Sequence, residues 1–229
     1  MRKKIAEKLS TKVVEDFDNI ANEFDKTRKS DWKEFDSFLP YIKDNQILID
    51  LGCGNGRFLH FIEKHRKIKY LGIDKSKKLI EKAKQTSKEK FIEGDILKIP
   101  VGNNFADVVT AIASIHHIPS KELQGKAIHE IHRILKPDGI AIITVWNLYQ
   151  PKYKKYIWYS WIKWLLSLGA YDINDVFIPW GNSGIKRYYH AFTKNELEKL
   201  IKKNGFEIIK YEITDNIVFI CKKRKKLKF

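Results

Sequence analysis

The stretch ILIDLGCGNGRFL, residues 47–59, constrains this chain more than any other. Residues 46–52 form a short apolar run that ends in glycine and reads as a buried strand. Gly52, Gly54 and Gly56 follow at G-x-G-x-G spacing, and RFLHFIEKH (57–65) then reads as a helix. Glycine is required where the backbone turns with positive φ and where no Cβ can stand between backbone and ligand. At the carboxyl end of a first strand, such a loop marks where open α/β sheets bind ligands. Asp74 ends the second predicted strand, 22 residues after Gly52, and is placed to accept from two ribose hydroxyls. Asp95 ends the third and can accept from an adenine amino group. A dinucleotide is the rival ligand, but it prefers G-x-G-x-x-G, with its pyrophosphate on the helix N-terminus. Here Asp50 directly precedes the loop. Its charge repels a pyrophosphate and suits a ligand carrying ammonium and sulfonium centres.

The rest of the chain continues the alternation. Residues 13–39 carry apolar side chains at helical spacing, with a break near 29–31. Strands are expected at 69–76, 90–96, 105–113 and 140–146, with helices at 77–87 and 121–135; KPDG is expected to end the second helix in a turn. Thr193, Glu196 and Gly205 predict a helix with a capping box and a glycine stop. FEIIKYEI and NIVFICKK close the chain as two strands, joined too tightly for a crossover and so paired antiparallel. The expected fold is α/β and Rossmann-like: a mostly parallel seven-stranded sheet with an antiparallel last strand, in a single domain over 1–229. Within it, 1–45 supply N-terminal helices, 46–146 the cofactor core, 147–192 a substrate-side insertion, and 193–229 a helix and strand pair.

The formal charge of +16 favours a polyanionic partner, although lysine supplies most of it and a plain solvated surface is the alternative. The tail CKKRKKLKF reads as a solvated end. Cys53 and Cys221 are too few for a disulfide framework or a four-ligand zinc site, and no metal is expected. No secretory signal and no uncharged apolar run of the ~18–20 residues needed to span a bilayer is seen, so a soluble, cytoplasmic protein without membrane insertion is expected.

LIDLGCGNGRFL, GIDKS, EGDILKIP, FADVVTAIASIHHI and HRILKPDGIAIITVW resemble the successive motifs of the class I S-adenosylmethionine-dependent methyltransferases, in family order. The resemblance implies S-adenosyl-L-methionine as cofactor. It implies Gly52, Gly54 and Gly56 at its methionine part, Asp74 at the ribose, Asp95 with Ile96 at the adenine, and Ala111 along the cofactor. FDKTRKSDW, SIHHI and IPWGNSGIKRYYHAF are further similar to the wobble-uridine tRNA methyltransferases that esterify 5-carboxymethyluridine. That likeness implies the tRNA anticodon stem-loop as substrate and a small zinc-binding activator subunit as partner.

An ionised carboxylate acceptor needs no strong general base at neutral pH. It needs a cation to orient it, and rings to hold the base. The candidates are Arg28 and Arg187 for the carboxylate, with Tyr188, Tyr189 and Trp180 as stacking faces. His117 is placed near the methyl-transfer point and His190 beside the tyrosines, whereas His116 is expected only to pack. Tyr188 and Tyr189 cannot both face one side of a strand. Residues 153–171 read as a helix with a narrow polar stripe of Tyr156, Ser160, Lys163 and Ser167, serving either as a lid or as a membrane-surface helix. Two rival functions stay open: a small-molecule, lipid or quinone methyltransferase of the same fold, and a catalytically silent RNA-binding subunit.

Overall fold

A computed structural model describes residues 1–28, 30–181 and 183–224, so the last five residues of the basic tail lie outside the described ones. Strands β1 (Ile47–Leu51), β2 (Lys69–Asp74), β3 (Lys90–Glu93), β4 (Ala106–Ile112) and β5 (Leu135–Trp146) are parallel neighbours in the order β3-β2-β1-β4-β5. β9 (Asn216–Lys223) runs antiparallel against β5, and β8 (Phe206–Ile213) pairs antiparallel with β9 at the edge. This is the expected seven-stranded, mostly parallel sheet.

Alternation along each strand separates two cores. On β1, Ile49 and Leu51 point into a cluster with α4 (Lys121–Ile134) and α6 (Lys194–Lys203). Leu48 points the other way, into an aromatic cluster with α2 (Arg57–Ile62), α3 (Lys77–Thr86) and the 3₁₀ segment Lys33–Tyr41. Both faces are therefore covered, which explains why the central strands read as continuous apolar runs. The long α1 (Lys3–Thr27) packs on α3 and on β7 (Lys186–His190), which carries its end, Arg28, to the substrate side.

Three local expectations are corrected. KPDG is not a turn after the helix. α4 stops at Ile134 and β5 starts at once, with KPDG absorbed as an irregularity in the pairing with β4 and Asp138 at φ 65°. The substrate-side insertion, for which no strand pair was expected, contains one: β6 (Asp175–Pro179) and β7 form a separate two-stranded antiparallel ribbon, with Ile178 opposite Arg187. The capping box of α6 forms by half. Thr193 Oγ accepts from the Glu196 amide (3.1 Å), but the Glu196 carboxylate turns to His190 Nε2 (3.2 Å).

Helix α5 (Lys154–Leu166) has its expected polar stripe turned inward. Ser160 is buried and donates to the Ile157 and Ile173 carbonyls, and Lys163 Nζ sits 3.7 Å from the Tyr171 ring centroid and 3.8 Å from that of Phe177. Its outer face is Trp158, Tyr159, Trp161, Trp164, Leu165 and Leu166, all exposed. Among the described residues no helix is long and apolar enough to cross a membrane.

Candidate active site

One cavity opens at the carboxyl ends of β1, β2 and β4 and runs from the glycine loop to Arg187. At its inner end β1 delivers Asp50, whose carboxylate accepts from Thr110 Oγ1 (2.7 Å) and Tyr70 Oη (2.9 Å). Burial pushes the Asp50 carboxyl up to about 6 against these two hydrogen bonds. Gly52 follows at φ 70°, and a Cβ there would stand 2.5 Å from the Ser114 Cβ. Only glycine lets the loop lie against the β4 end.

Asp74 holds that loop in place: Oδ2 accepts from the Gly54 amide (2.9 Å) and Oδ1 from the Ser76 amide (2.8 Å). Asp95 and Ile96 also line the cavity, with Asp95 accepting from Lys75 Nζ (2.7 Å) and the Leu97 amide (2.8 Å). Two expected contacts are displaced. Ala111 is fully buried in the sheet core, and it is Ala113 and Ser114, just beyond β4, that reach the cavity. Gly56 does not line the cavity; it starts α2 with φ 82°.

The outer end is arginine and aromatic. The Arg187 guanidinium carbon lies 4.2 Å from the Trp180 ring centroid, 5.2 Å from Tyr189 and 5.6 Å from Trp146. Arg28 approaches the same indole at 5.2 Å and Phe24 at 5.4 Å. Arg187 is 4% exposed and its Nε has no partner. Among the described residues neither Arg28 nor Arg187 has a carboxylate within ion-pair distance. Burial lowers the pKa of both. A third cavity arginine, Arg57, follows the glycine loop directly and stacks 4.5 Å over Trp32; burial brings it down to about 10.

The two histidines are held in opposite tautomers. His117 Nδ1 is 2.8 Å from the Tyr188 carbonyl, so it carries the proton and Nε2 keeps a lone pair. His116 Nδ1 accepts from the Trp146 amide at 3.1 Å, so its proton is on Nε2, which is buried without a partner. Burial, with Arg187 adding to it, lowers His117 to about 3, and burial lowers His116 as well, so both rings stay neutral. His116 is packed against His117, Trp146 and Tyr189 at the wall of the cavity.

Tyr188 and His190 are not brought to the cavity, which corrects their expected role. On β7, Arg187 and Tyr189 face the cavity side, and the alternate residues Tyr188 and His190 face away. Tyr188 Oη donates to Asp175 Oδ1 (2.7 Å), and His190 bridges Asp175 (3.1 Å) and Glu196 (3.2 Å). Asp175, absent from the sequence reading, is the buried hub of this cluster. Ser114 and Arg57 were also missed; only Arg57 carried a local signal, its place after the third loop glycine.

A family model described as a methyltransferase domain matches residues 22–211. This chain belongs to that methyltransferase family. Its cofactor is S-adenosylmethionine, which supplies a methyl group bound to a cationic sulfur. The residues present fit it: a buried carboxylate at Asp50, a backbone cradle at Gly52 that a Cβ would fill, and a buried Ser114 hydroxyl with no protein partner.

The chain is 32% identical over 144 residues to tRNA (carboxymethyluridine(34)-5-O)-methyltransferase ALKBH8 of Macaca fascicularis, covering 62% of this chain but only 21% of that protein. It is 26% identical over 217 residues to the Schizosaccharomyces pombe tRNA (carboxymethyluridine(34)-5-O)-methyltransferase, covering 85% of this chain and 88% of the relative. In fold it is similar to a putative methyltransferase solved in complex with the Haloferax volcanii Trm112 methyltransferase activator, with TM-score 0.71, 16% identity, and coverage of 95% of this chain and 100% of that one.

Proposed function

We propose that this methyltransferase esterifies the carboxylate of 5-carboxymethyluridine at the tRNA wobble position, in the cytoplasm. The observation that carries the reading is the pair of cavity arginines, Arg28 and Arg187, flanking Trp180 without an acidic partner. A buried guanidinium left unpaired is costly, so such a site is built for an anion that arrives with the substrate. Arginine's planar fork suits a carboxylate. Trp180, half-buried beside both arginines, is the ring on which an unstacked base would be held, with Tyr189 and Trp146 packed behind Arg187.

The chemistry then needs little proton transfer. Arg28 and Arg187 would hold one carboxylate oxygen toward the methyl group that bound S-adenosylmethionine would supply, its cationic sulfur serving as the neutral thioether leaving group. Neutral His117 fits this scheme because it neither competes as a cation nor quenches the nucleophile. The protein's part is alignment and exclusion of water. The names of the two relatives support the same substrate. By analogy with the Haloferax volcanii complex, we also propose a small activator subunit as partner.

The test supplies labelled S-adenosylmethionine and tRNA bearing free 5-carboxymethyluridine, with and without a Trm112-type subunit. The expected product releases its label as methanol in mild alkali. Arg187→Ala is expected to lower kcat/KM by roughly 10- to 100-fold, the loss of a charge-assisted pair, with cofactor affinity retained. Alkali-stable label, or an unaffected Arg187→Ala, overturns the reading.

A further inference from the structure

The outward aromatic face of α5 has no role in methyl transfer, yet it is joined to the acceptor pocket. Trp146, which lines that pocket, stacks on Tyr153 just before α5 (centroids 6.4 Å, 24° between planes) and on Tyr189 (5.2 Å, 25°). Behind these rings Ile157 of α5 packs with Leu148, Val176 and Tyr189. On the outside, Tyr149, Lys154, Ile157, Trp158 and Trp161 line a second, open notch. Trp158 is 59% and Trp161 52% exposed, while Tyr149 is fixed by its hydroxyl donating to the Ala191 carbonyl (3.2 Å).

Two further features select the occupant. From 151 to 171 the chain has Lys152, Lys154, Lys155 and Lys163 and no acidic residue. Lys152, Lys154 and Lys155 gather at the notch end of the helix. Indole faces beside lysines are what single-stranded nucleic acid uses: each base has a π-face to stack, and each phosphate needs a cation. The helix also buries Ser160 and shows its indoles to solvent, the reverse of a helix built only to pack.

We infer that the notch of Tyr149, Lys154, Trp158 and Trp161 takes an unpaired base of the RNA neighbouring the nucleotide in the acceptor pocket. This rests on the tRNA reading above. It makes α5 the element that measures the loop around the target, so the enzyme recognises an RNA loop rather than a lone modified nucleoside.

The test compares two acceptors, an anticodon stem-loop RNA containing 5-carboxymethyluridine and the free nucleoside. Wild type, Trp158→Ala/Trp161→Ala and a charge-neutral control, Leu165→Gln/Leu168→Gln, are assayed with whichever activator wild type requires. Stem-loop affinity is also read by fluorescence anisotropy at fixed salt. The expected result is a loss of roughly 5- to 150-fold in stem-loop affinity and kcat/KM for the tryptophan pair. Nucleoside methylation is expected to be unchanged in every variant, and the leucine control to behave as wild type. Stem-loop methylation unaltered by the tryptophan pair overturns the notch and leaves the tRNA reading standing. A wild type that neither binds nor methylates the stem-loop overturns both. Equal losses in the leucine control overturn the notch as the base site.

Discussion

At the scale of single residues, the cavity is set by groups whose states their neighbours fix. Gly52 is the sharpest case, since its positive φ and the 2.5 Å approach to Ser114 leave no room for a methyl group. Gly52→Ala is expected to cost about 1–2 kcal/mol from the left-handed backbone alone. The displaced Ser114 should add at least a ten-fold loss of S-adenosylmethionine affinity, measurable by calorimetry. Asp50 adds a pH dependence. Its carboxyl is raised to about 6 from 3.8, mainly by burial, so between these values the folded protein holds the proton more tightly than the unfolded chain. This group therefore adds stability as pH falls from about 6 towards 4, and that contribution is lost as pH rises through the same window. The cationic cofactor favours the ionised form, so its affinity is expected to fall as pH drops below about 6, approaching ten-fold per unit. Asp50→Asn should bind more weakly at pH 8 and show no inflection near 6. An unchanged inflection in that variant would assign the titration to another group.

At the scale of elements, the β6–β7 ribbon explains why adjacent residues have unrelated fates. Arg187 and Tyr189 go to the cavity, while Tyr188 and His190 go to Asp175 and Glu196, tying the ribbon to α6. Burial alone would lower the His190 pKa, but hydrogen bonds to Asp175 and Glu196 raise it to about 9. A raised histidine contributes stability that is fully present below its unfolded value near 6.5 and is lost as pH rises through about 9. Thermal unfolding followed from pH 6 to 10 is expected to show that loss, and His190→Gln to lack it. His190→Gln should also be less stable at pH 6, by on the order of 2–4 kcal/mol. Its cofactor affinity should stay near wild type, which separates a structural clamp from a catalytic base. The ribbon was also the element least legible in the sequence. Lys186 to His190 is polar or aromatic at every position, so it shows no apolar alternation, and Pro179, Gly181 and Gly184 read as loop. The glycine loop was legible because its requirement is local: a strand end, positive φ, and acids after the next strands. The tautomers of His116 and His117 were not, since the Trp146 amide and Tyr188 carbonyl that fix them are distant in sequence.

At the scale of the molecule, the charge of +16 needs a location before it means anything. Exposed Lys4 and Lys8 on α1 and Lys77 and Lys78 on α3 lie on two helices that pack together. Ser10, Phe17 and Phe24 of α1 and Leu79 of α3 line the cavity, so both helices border it, with the lysines at the start of α1 and on α3 and the acids Glu15, Asp16, Asp18, Glu23 and Asp25 along the rest of α1. Lysines placed outside an arginine and aromatic pocket divide labour: phosphate contacts give affinity, and the pocket gives selectivity. The two are separable by salt, because counterion release scales with the phosphates neutralised. Stem-loop affinity is expected to fall roughly 10³-fold between about 50 and 200 mM salt, the behaviour of about six phosphate contacts. Nucleoside methylation over the same range should change no more than a few-fold, since one arginine–carboxylate contact in a buried pocket is weakly screened. Replacing Lys4, Lys8, Lys77 and Lys78 by glutamine should flatten the log–log slope by about one per lysine in contact, with nucleoside kinetics unchanged. A slope that stays the same in the quadruple variant would make these lysines a solvated face and move the RNA path elsewhere, leaving the aromatic end of α5 as the nearest alternative.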